Sequence, residues 1–423
     1  MLDSLYNGLL LPWKILMLNF NKLSFIICAL IVGMSFPTSA EIAAGDNFTL
    51  AVDRNGDVWV FGTNDKGQLG LGEIAQEIEP SPVRLATFAN ISKITAGRDH
   101  AVAIDNDGQV WVWGQNDHGQ LGLGDRIARR TPTLIEGFSG AIQAAAGWFH
   151  TLILDRDGNV WSFGYKNFGA LGYSNQADQL IPKRVDGLPN IIQIAAGTGH
   201  SVALDVDGNV WTFGENTDGQ LGLGKDIKKY RAQPTMVKKL SKIAKIAAGG
   251  MQTFAIGEDN QVFGFGNNQE FQLAILPSKL AFITTNNNAV IKSPKLVPEL
   301  KDITEITTSM HHTIALNQEG QILAFGRSYS GSLGLGDNVE KPQETPELIT
   351  IPADVRIVEV SAGPNHTVAL DNNGQLWTFG SDARGALGHG EGKKYTSPKM
   401  IENLRVLMKV PSMPQIKRAA PDA

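Results

Sequence analysis

The chain has 423 residues, 46 of them glycine and eight tryptophan, with 42% hydrophobic and 19% charged residues and a formal net charge of −5. Hydrophobic content at this level excludes a wholly disordered polymer, and the acidic balance excludes the globally basic surface of a dedicated nucleic-acid binder, so no nucleic-acid partner is expected. A single cysteine, Cys28, excludes intramolecular disulfides and cysteine-based zinc sites.

At the N-terminus, Leu23 to Phe36 is an apolar run of 14 residues, preceded by Lys14 and Lys22 and followed by Pro37, Thr38, Ser39 and Ala40. That order is a basic region, an apolar region and a small-residue cleavage site. Fourteen residues fall short of the ~20 that cross a bilayer core. Residues 1–40 therefore read as a secretory signal cleaved between Ala40 and Glu41, with Met17 as an alternative start. This implies a secreted or periplasmic protein; an uncleaved membrane anchor is the alternative, and only then would the membrane be a partner.

From Glu41 onward one phrase recurs seven times, close to AAGxxHTVALDxDGxVWxFGxNxxGQLGLGD. Its anchoring positions are Gly45, Gly97, Gly147, Gly197, Gly249, Ser309 and Gly363, at spacings of 52, 50, 50, 52, 60 and 54 residues. The fifth copy is the most degenerate: Gln252 replaces the histidine, Phe263 the tryptophan and FQLAI the GxLGL. In the fourth copy, Ile191 to Ala196 and His200 to Leu204 read as two strands and Asp205 to Gly208 as a tight turn. Val210 to Phe213 is a third strand, Gly214 to Gly224 a glycine-rich loop and Pro234 to Val237 a fourth strand. Four-stranded antiparallel units at this period predict an all-β, seven-bladed β-propeller over residues 41–410, with a flexible tail over 411–423. Because the first copy enters abruptly at Glu41, residues 397 to 410 are expected to lend outer-strand material to that blade and so close the ring.

These repeats resemble those of the regulator of chromosome condensation family, on the phrase VWxFGxNxxGQLG and over residues 41 to about 405. The resemblance implies a seven-bladed propeller. It implies no single function, because the family includes nucleotide-exchange factors for small GTPases, chromatin binders, a plant ultraviolet receptor and a secreted bacterial inhibitor of β-lactamases.

His100, His150, His200, His312 and His366 share one repeat position, and a buried imidazole there serves to bridge neighbouring strands. Equivalent positions on successive blades are too far apart to share an ion at ~2.0 Å ligand distances, so no metal is expected. The GQLGLG loops lack the lysine and the helix of a phosphate cradle, and their glycines read as loop positions with positive φ. No cofactor is expected. No nucleophile motif or catalytic set emerges, so an enzyme is not expected. Trp59, Trp111, Trp161, Trp211 and Trp377 belong to the repeat and read as core.

Strand parity places the GxxH turn and the FGxNxxG loop of every blade on one face. There the third blade differs from the others, with Trp148 and Phe149 in its turn and Tyr165 and Phe168 in its loop. Four aromatics on one loop pair are the candidate partner-binding site, since rigid aromatics dominate interface energetics; mutual covering over the blade edge is the alternative reading. The Asn267 to Leu300 connection is the longest departure from the repeat, and reads as a projecting hairpin or a longer lower connection. Basic clusters run from Lys225 to Lys245 and from Lys393 to Arg418, and read as solvated linker surface. The function expected is an exported, non-enzymatic protein-binding propeller. Action on a small GTPase, as an exchange factor or effector, and inhibition of a secreted hydrolase are the alternatives.

Overall fold

The computed structural model describes residues 41–405 apart from 74, 87, 175–176, 225–228, 277–289 and 338–340. Residues 1–40, read above as a signal, residues 406–423 and the middle of the Asn267 to Leu300 connection lie outside the described residues. The described residues form twenty-eight strands in seven sheets, each with four consecutive antiparallel strands, and one 3-10 turn at Asn167–Gly169.

Blade four shows how the repeat folds. Its inner strand is Ile191–Ala196, followed by His200–Asp205, Val210–Glu215 and the outer strand Tyr230–Met236. The second strand is buried at every position, because it lies in the middle of its sheet with another blade on each face. The turn after it is set by Asp205, whose carboxylate accepts from the backbone N–H of Asp207 (3.0 Å) and Asn209 (2.8 Å). Its other oxygen accepts from Trp211 Nε1 at 2.9 Å. The same indole–carboxylate bond joins Trp59 to Asp53, Trp111 to Asp105, Trp161 to Asp155 and Trp377 to Asp371. These five tryptophans are therefore not core residues as expected. They are half-buried, packed against the core by one face while the indole N–H stitches the turn. Among the described residues the fully buried tryptophan is Trp113.

Adjacent blades meet through apolar clusters that draw on both, such as Leu152, Leu154 and Val160 of blade three with Ile191 and Phe213 of blade four. Each glycine loop packs on the next blade: Gly222, at φ 67°, sits where a Cβ would come within 2.8 Å of Phe265.

Two rings of polar bonds run in the same direction around the molecule. In the first, the buried histidine of one blade meets a hydroxyl of the next: His100 with Thr151 (3.0 Å), His150 with Ser201 (3.0 Å), His200 with Thr253 (2.9 Å), His312 with Thr367 (3.2 Å) and His366 with Thr49 (3.1 Å). Each of those hydroxyls donates its proton to a loop carbonyl of the preceding blade, as Thr151 does to Gln120 at 2.8 Å, so each must accept from an imidazole Nε2–H. Burial without a charged partner pushes these imidazoles down to about 3 or 4. The second ring lies on the inner strands, at the equivalent positions Glu41, Lys93, Gln143, Gln193, Lys245, Glu305 and Glu359. Gln143 and Gln193 accept from the backbone N–H of Ile194 and Ile246 (2.9 Å each), Glu359 accepts from Ile42 (3.0 Å), and Glu41 pairs with Lys93.

The ring closes differently from the sequence expectation. The last strand, Tyr395–Arg405, pairs within its own blade seven, and blade one completes itself with Ile78–Arg84. Among the described residues no strand is shared between blades one and seven. The prolines of Ile78–Arg84 fit that outer position, where one edge of the strand needs no ladder partner. The seam is held by Ile42 on Glu359, by Ala44 N–H on Ser361 Oγ (2.9 Å) and by the His366–Thr49 pair.

Candidate functional site

The register puts the GxxH turn and the FG loop of each blade at one end of its sheet. In blade four, His200 faces Gly214 and Glu215 N–H donates to Gly199 at 2.8 Å. We call this end the upper face. It surrounds the mouth of a central channel of about 720 Å3, lined from inner-strand residues such as Gln193, Lys245 and Glu305 up to the second residue of each turn, among them Asp46, Arg98, Trp148, Thr198 and Met310.

All four nominated aromatics lie on this face and touch one another. Ring centroids run from Trp148 to Phe149 (6.3 Å), Phe149 to Tyr165 (6.0 Å) and Tyr165 to Phe168 (6.3 Å), each edge to face. The first three are half-buried, whereas Phe168 is 47% exposed. Phe168 also has φ 64°, a left-handed conformation that a bulky side chain adopts only under constraint from its surroundings. The following Gly169 fixes the approach, since a Cβ there would lie 2.6 Å from the backbone of Ala232 in blade four.

Two further residues complete the ladder and were not nominated from the sequence. His118, which occupies in blade two the repeat position of Phe168, lies 4.3 Å from the Tyr165 ring and 5.2 Å from Phe149. Arg98, in the repeat position of Trp148, places its guanidinium 5.2 Å from the Trp148 ring and 5.6 Å from Phe149. Alignment of the copies carries the signal for both, because equivalent letters on adjacent blades are neighbours in space. Arg126 reaches Asp178 at 2.6 Å, and His118 lies 3.4 Å from the same carboxylate. Burial works against the charge on Asp178, but hydrogen bonds from Lys166 N–H, Arg126 and His118 hold it below the usual carboxylate range.

Carboxylates flank the ladder. Arg98 Nε is 3.2 Å from Asp99 and 3.8 Å from Asp46. Burial, helped by the neighbouring Asp99, raises Asp46 to about 6 against the pull of Arg98 and Arg384, and burial raises Asp99 as well. At the other end Glu215, also raised by burial, lies beside Phe168, both lining the space above Gly199. A smaller cluster on blade six repeats the chemistry: Arg327 lies 5.0 Å from the Tyr329 ring and 3.2 Å from Glu270, with His311 packed on Tyr329 at 4.9 Å. Among the described residues no group of three histidines, cysteines or carboxylates is placed to hold a metal ion. What the ladder offers is adsorption: rigid aromatic surface, one strongly exposed ring and fixed charge around it.

Comparison with known proteins agrees with this architecture. Residues 139–413 match the RCC1-like domain, and residues 55–104 and 107–154 match the regulator of chromosome condensation (RCC1) repeat. The chain is 29% identical over 373 residues to the ultraviolet-B receptor UVR8 of Arabidopsis thaliana, covering 86% of this chain and 58% of the receptor. It is 28% identical over 164 residues to the regulator of chromosome condensation of Mus musculus, covering 37% of this chain and 35% of that protein. The chain thus spans less than two thirds of these relatives' lengths. Among solved structures, Prp20p from Saccharomyces cerevisiae, studied with its binding to Gsp1p and histones, superposes with a TM-score of 0.72 at 26% identity, over 85% of this chain and 87% of that one. The same yeast RCC1 bound to Kap60 gives a TM-score of 0.74 at 26% identity, over 83% and 85%. The chain belongs to the regulator of chromosome condensation (RCC1) repeat family.

Proposed function

We propose that this chain is a non-enzymatic protein-binding propeller, exported by its N-terminal segment, whose upper face receives the partner at blade three. The observation that carries the reading is the aromatic ladder Trp148, Phe149, Tyr165 and Phe168, capped by a half-exposed phenylalanine held at positive φ. Other blades place small, polar or charged residues at most of these positions. Aromatic anchors of this kind dominate protein interfaces, where truncating one costs about 2 kcal/mol or more. Replacing Trp148 and Phe149 together by alanine is expected to weaken binding to a partner captured by the wild-type chain at least thirtyfold, read by surface plasmon resonance. Unchanged affinity would remove blade three from the interface. Export rests on the apolar run Leu23 to Phe36 and its flanks; intact-mass analysis of fractionated native cells is expected to find Glu41 as the N-terminus outside the cytoplasm.

Nucleotide exchange on a small GTPase is the second reading, favoured by the likeness to Prp20p, which binds Gsp1p. It predicts accelerated nucleotide release from at least one member of a panel of GTPases.

A further inference from the structure

The upper face carries a charge pattern that specifies the kind of partner. Asp46 and Asp99 stand at one end of the aromatic ladder; at the other Glu215 lies beside Phe168, with Asp218 next to it, both carboxylates within reach of the Thr217 hydroxyl at 2.9 and 3.2 Å. Cations along it are already engaged: Arg98 lies between Asp46 and Asp99, Arg126 is bound to Asp178, and Lys166, in the loop between Tyr165 and Phe168, is not without a partner. Arg98 is itself informative. Its guanidinium shows that the faces of Trp148 and Phe149 accept a planar cation at 5.2 and 5.6 Å, while its Nε, 3.2 Å from Asp99, lacks the alignment of a hydrogen bond. One cation is therefore shared between two carboxylates and satisfies neither fully. The ladder continues from there through Tyr165 to exposed Phe168.

We propose that the partner docks through a cationic segment, an arginine-bearing loop or tail that lies along the ladder between the Asp46–Asp99 and Glu215–Asp218 ends. This rests on the reading of blade three as the binding site. Planar guanidinium groups stack on the aromatic faces as Arg98 does, and the carboxylates at both ends supply the complementary charge. An acidic segment meets like charge at both ends and is rejected. Arginine is preferred to lysine because it stacks and forks at once.

The test titrates the full chain into a fluorescein-labelled peptide of alternating glycine and arginine, and into its lysine and glutamate counterparts, following anisotropy at 0.05 and 0.3 M salt. The arginine peptide is expected to bind, more tightly than the lysine peptide, and the glutamate peptide not at all. Affinity for the arginine peptide is expected to fall at least tenfold with Asp46→Asn plus Asp99→Asn, and again with Trp148→Ala plus Phe149→Ala. If the first pair impairs folding by its melting curve, Glu215→Gln plus Asp218→Asn replaces it. Arginine and glutamate peptides bound equally, or either pair without effect, would overturn the inference. A partner whose binding needs Trp148 and Phe149 but is not competed by the arginine peptide also overturns it, and leaves the blade-three reading standing. A partner indifferent to Trp148 and Phe149 removes that reading instead.

Discussion

The smallest unit of this fold with a measurable consequence is the buried histidine. His200 donates from Nε2 to Thr253, which donates in turn to Gln220 O, so one imidazole joins two blades and a loop. Ser309 shows how tightly the site is built: it replaces the repeat glycine and its hydroxyl lies 2.8 Å from His312 Nδ1, an atom with no protein partner in His100, His200 and His366. Because burial holds the five imidazoles at about 3 or 4, against about 6.5 in an unfolded chain, their contribution is intact above pH 6.5 and is lost as pH falls toward 3. Stability should decline by roughly 1.4 kcal/mol per pH unit for each histidine in that window. His200→Gln, which installs the residue found naturally at position 252, is expected to make the acid limb of a denaturation-versus-pH curve shallower while lowering stability at pH 8 by about 1–3 kcal/mol. A curve parallel to wild type would mean that the imidazole is not buried neutral.

At the scale of elements, the junction between blades one and two breaks the pattern and repairs it. Phe48 stands where the histidine should be and Ala101 where the hydroxyl should be. The loop carbonyl of Gln68, which would lose its donor, is reached instead by the indole N–H of Trp113 at 2.8 Å. Trp113 occupies the repeat position of Phe163 and Phe213, so its extra ring nitrogen is the compensation. Trp113→Phe is expected to cost about 2–4 kcal/mol, from the orphaned carbonyl and lost packing. Ala101→Thr, supplying the hydroxyl that Thr151 supplies one blade later, should recover part of that loss and show a coupling of about 1 kcal/mol in a double-mutant cycle by urea denaturation. Simple additivity would deny that the two residues serve the same carbonyl. The individual letters of this exchange are readable in the sequence, where WVWG replaces the usual WxFG, but that the indole reaches backward into the preceding blade is not.

The whole molecule is a closed ring in which six junctions are joined by chain and the seventh only by contacts. The seam between blades seven and one depends on Glu359, Ser361 and the His366–Thr49 pair. Repeat arrays open where an interface is weakest, so hydrogen exchange is expected to be faster in Glu41–Ala44 than in the equivalent Ile191–Ala196 of blade four; equal protection would place the seam on a par with the covalent junctions. The carboxylates near the seam add a pH dependence of opposite sign to that of the histidines. Burial raises Glu305 to about 7, opposed by the bond from Val360 and by Lys245, and raises Glu359 well above the usual range with help from Glu305 and Glu41. The stabilising contribution of Glu305 is complete below about 4.5 and is lost as pH rises through 7, and that of Glu359 runs in the same direction. Glu305→Gln should therefore raise stability at pH 8 by about 1–3 kcal/mol and leave it unchanged near pH 4. Calorimetric melting of the variant beside wild type at both pH values checks this, and equal shifts at the two would show that the carboxyl is not desolvated.

By itself the sequence determined the seven-fold repeat, the four strands of each unit and the face shared by turns and FG loops, because these follow from local alternation, turn chemistry and parity along one chain. It also singled out Trp148, Phe149, Tyr165 and Phe168, since departures from a repeat are visible without coordinates. The tertiary structure decided everything that depends on which blade is next to which. It closed the ring, among the described residues, without sharing a strand, turned five expected core tryptophans into turn stitches, and brought Arg98 and His118 onto the aromatic ladder from the neighbouring blade. Contacts between blades link residues about 50 positions apart, so no local pattern reveals them: alignment of the copies pairs Arg98 with Trp148 and His118 with Phe168, and only the formed ring brings Arg98 against Trp148 and His118 against Tyr165.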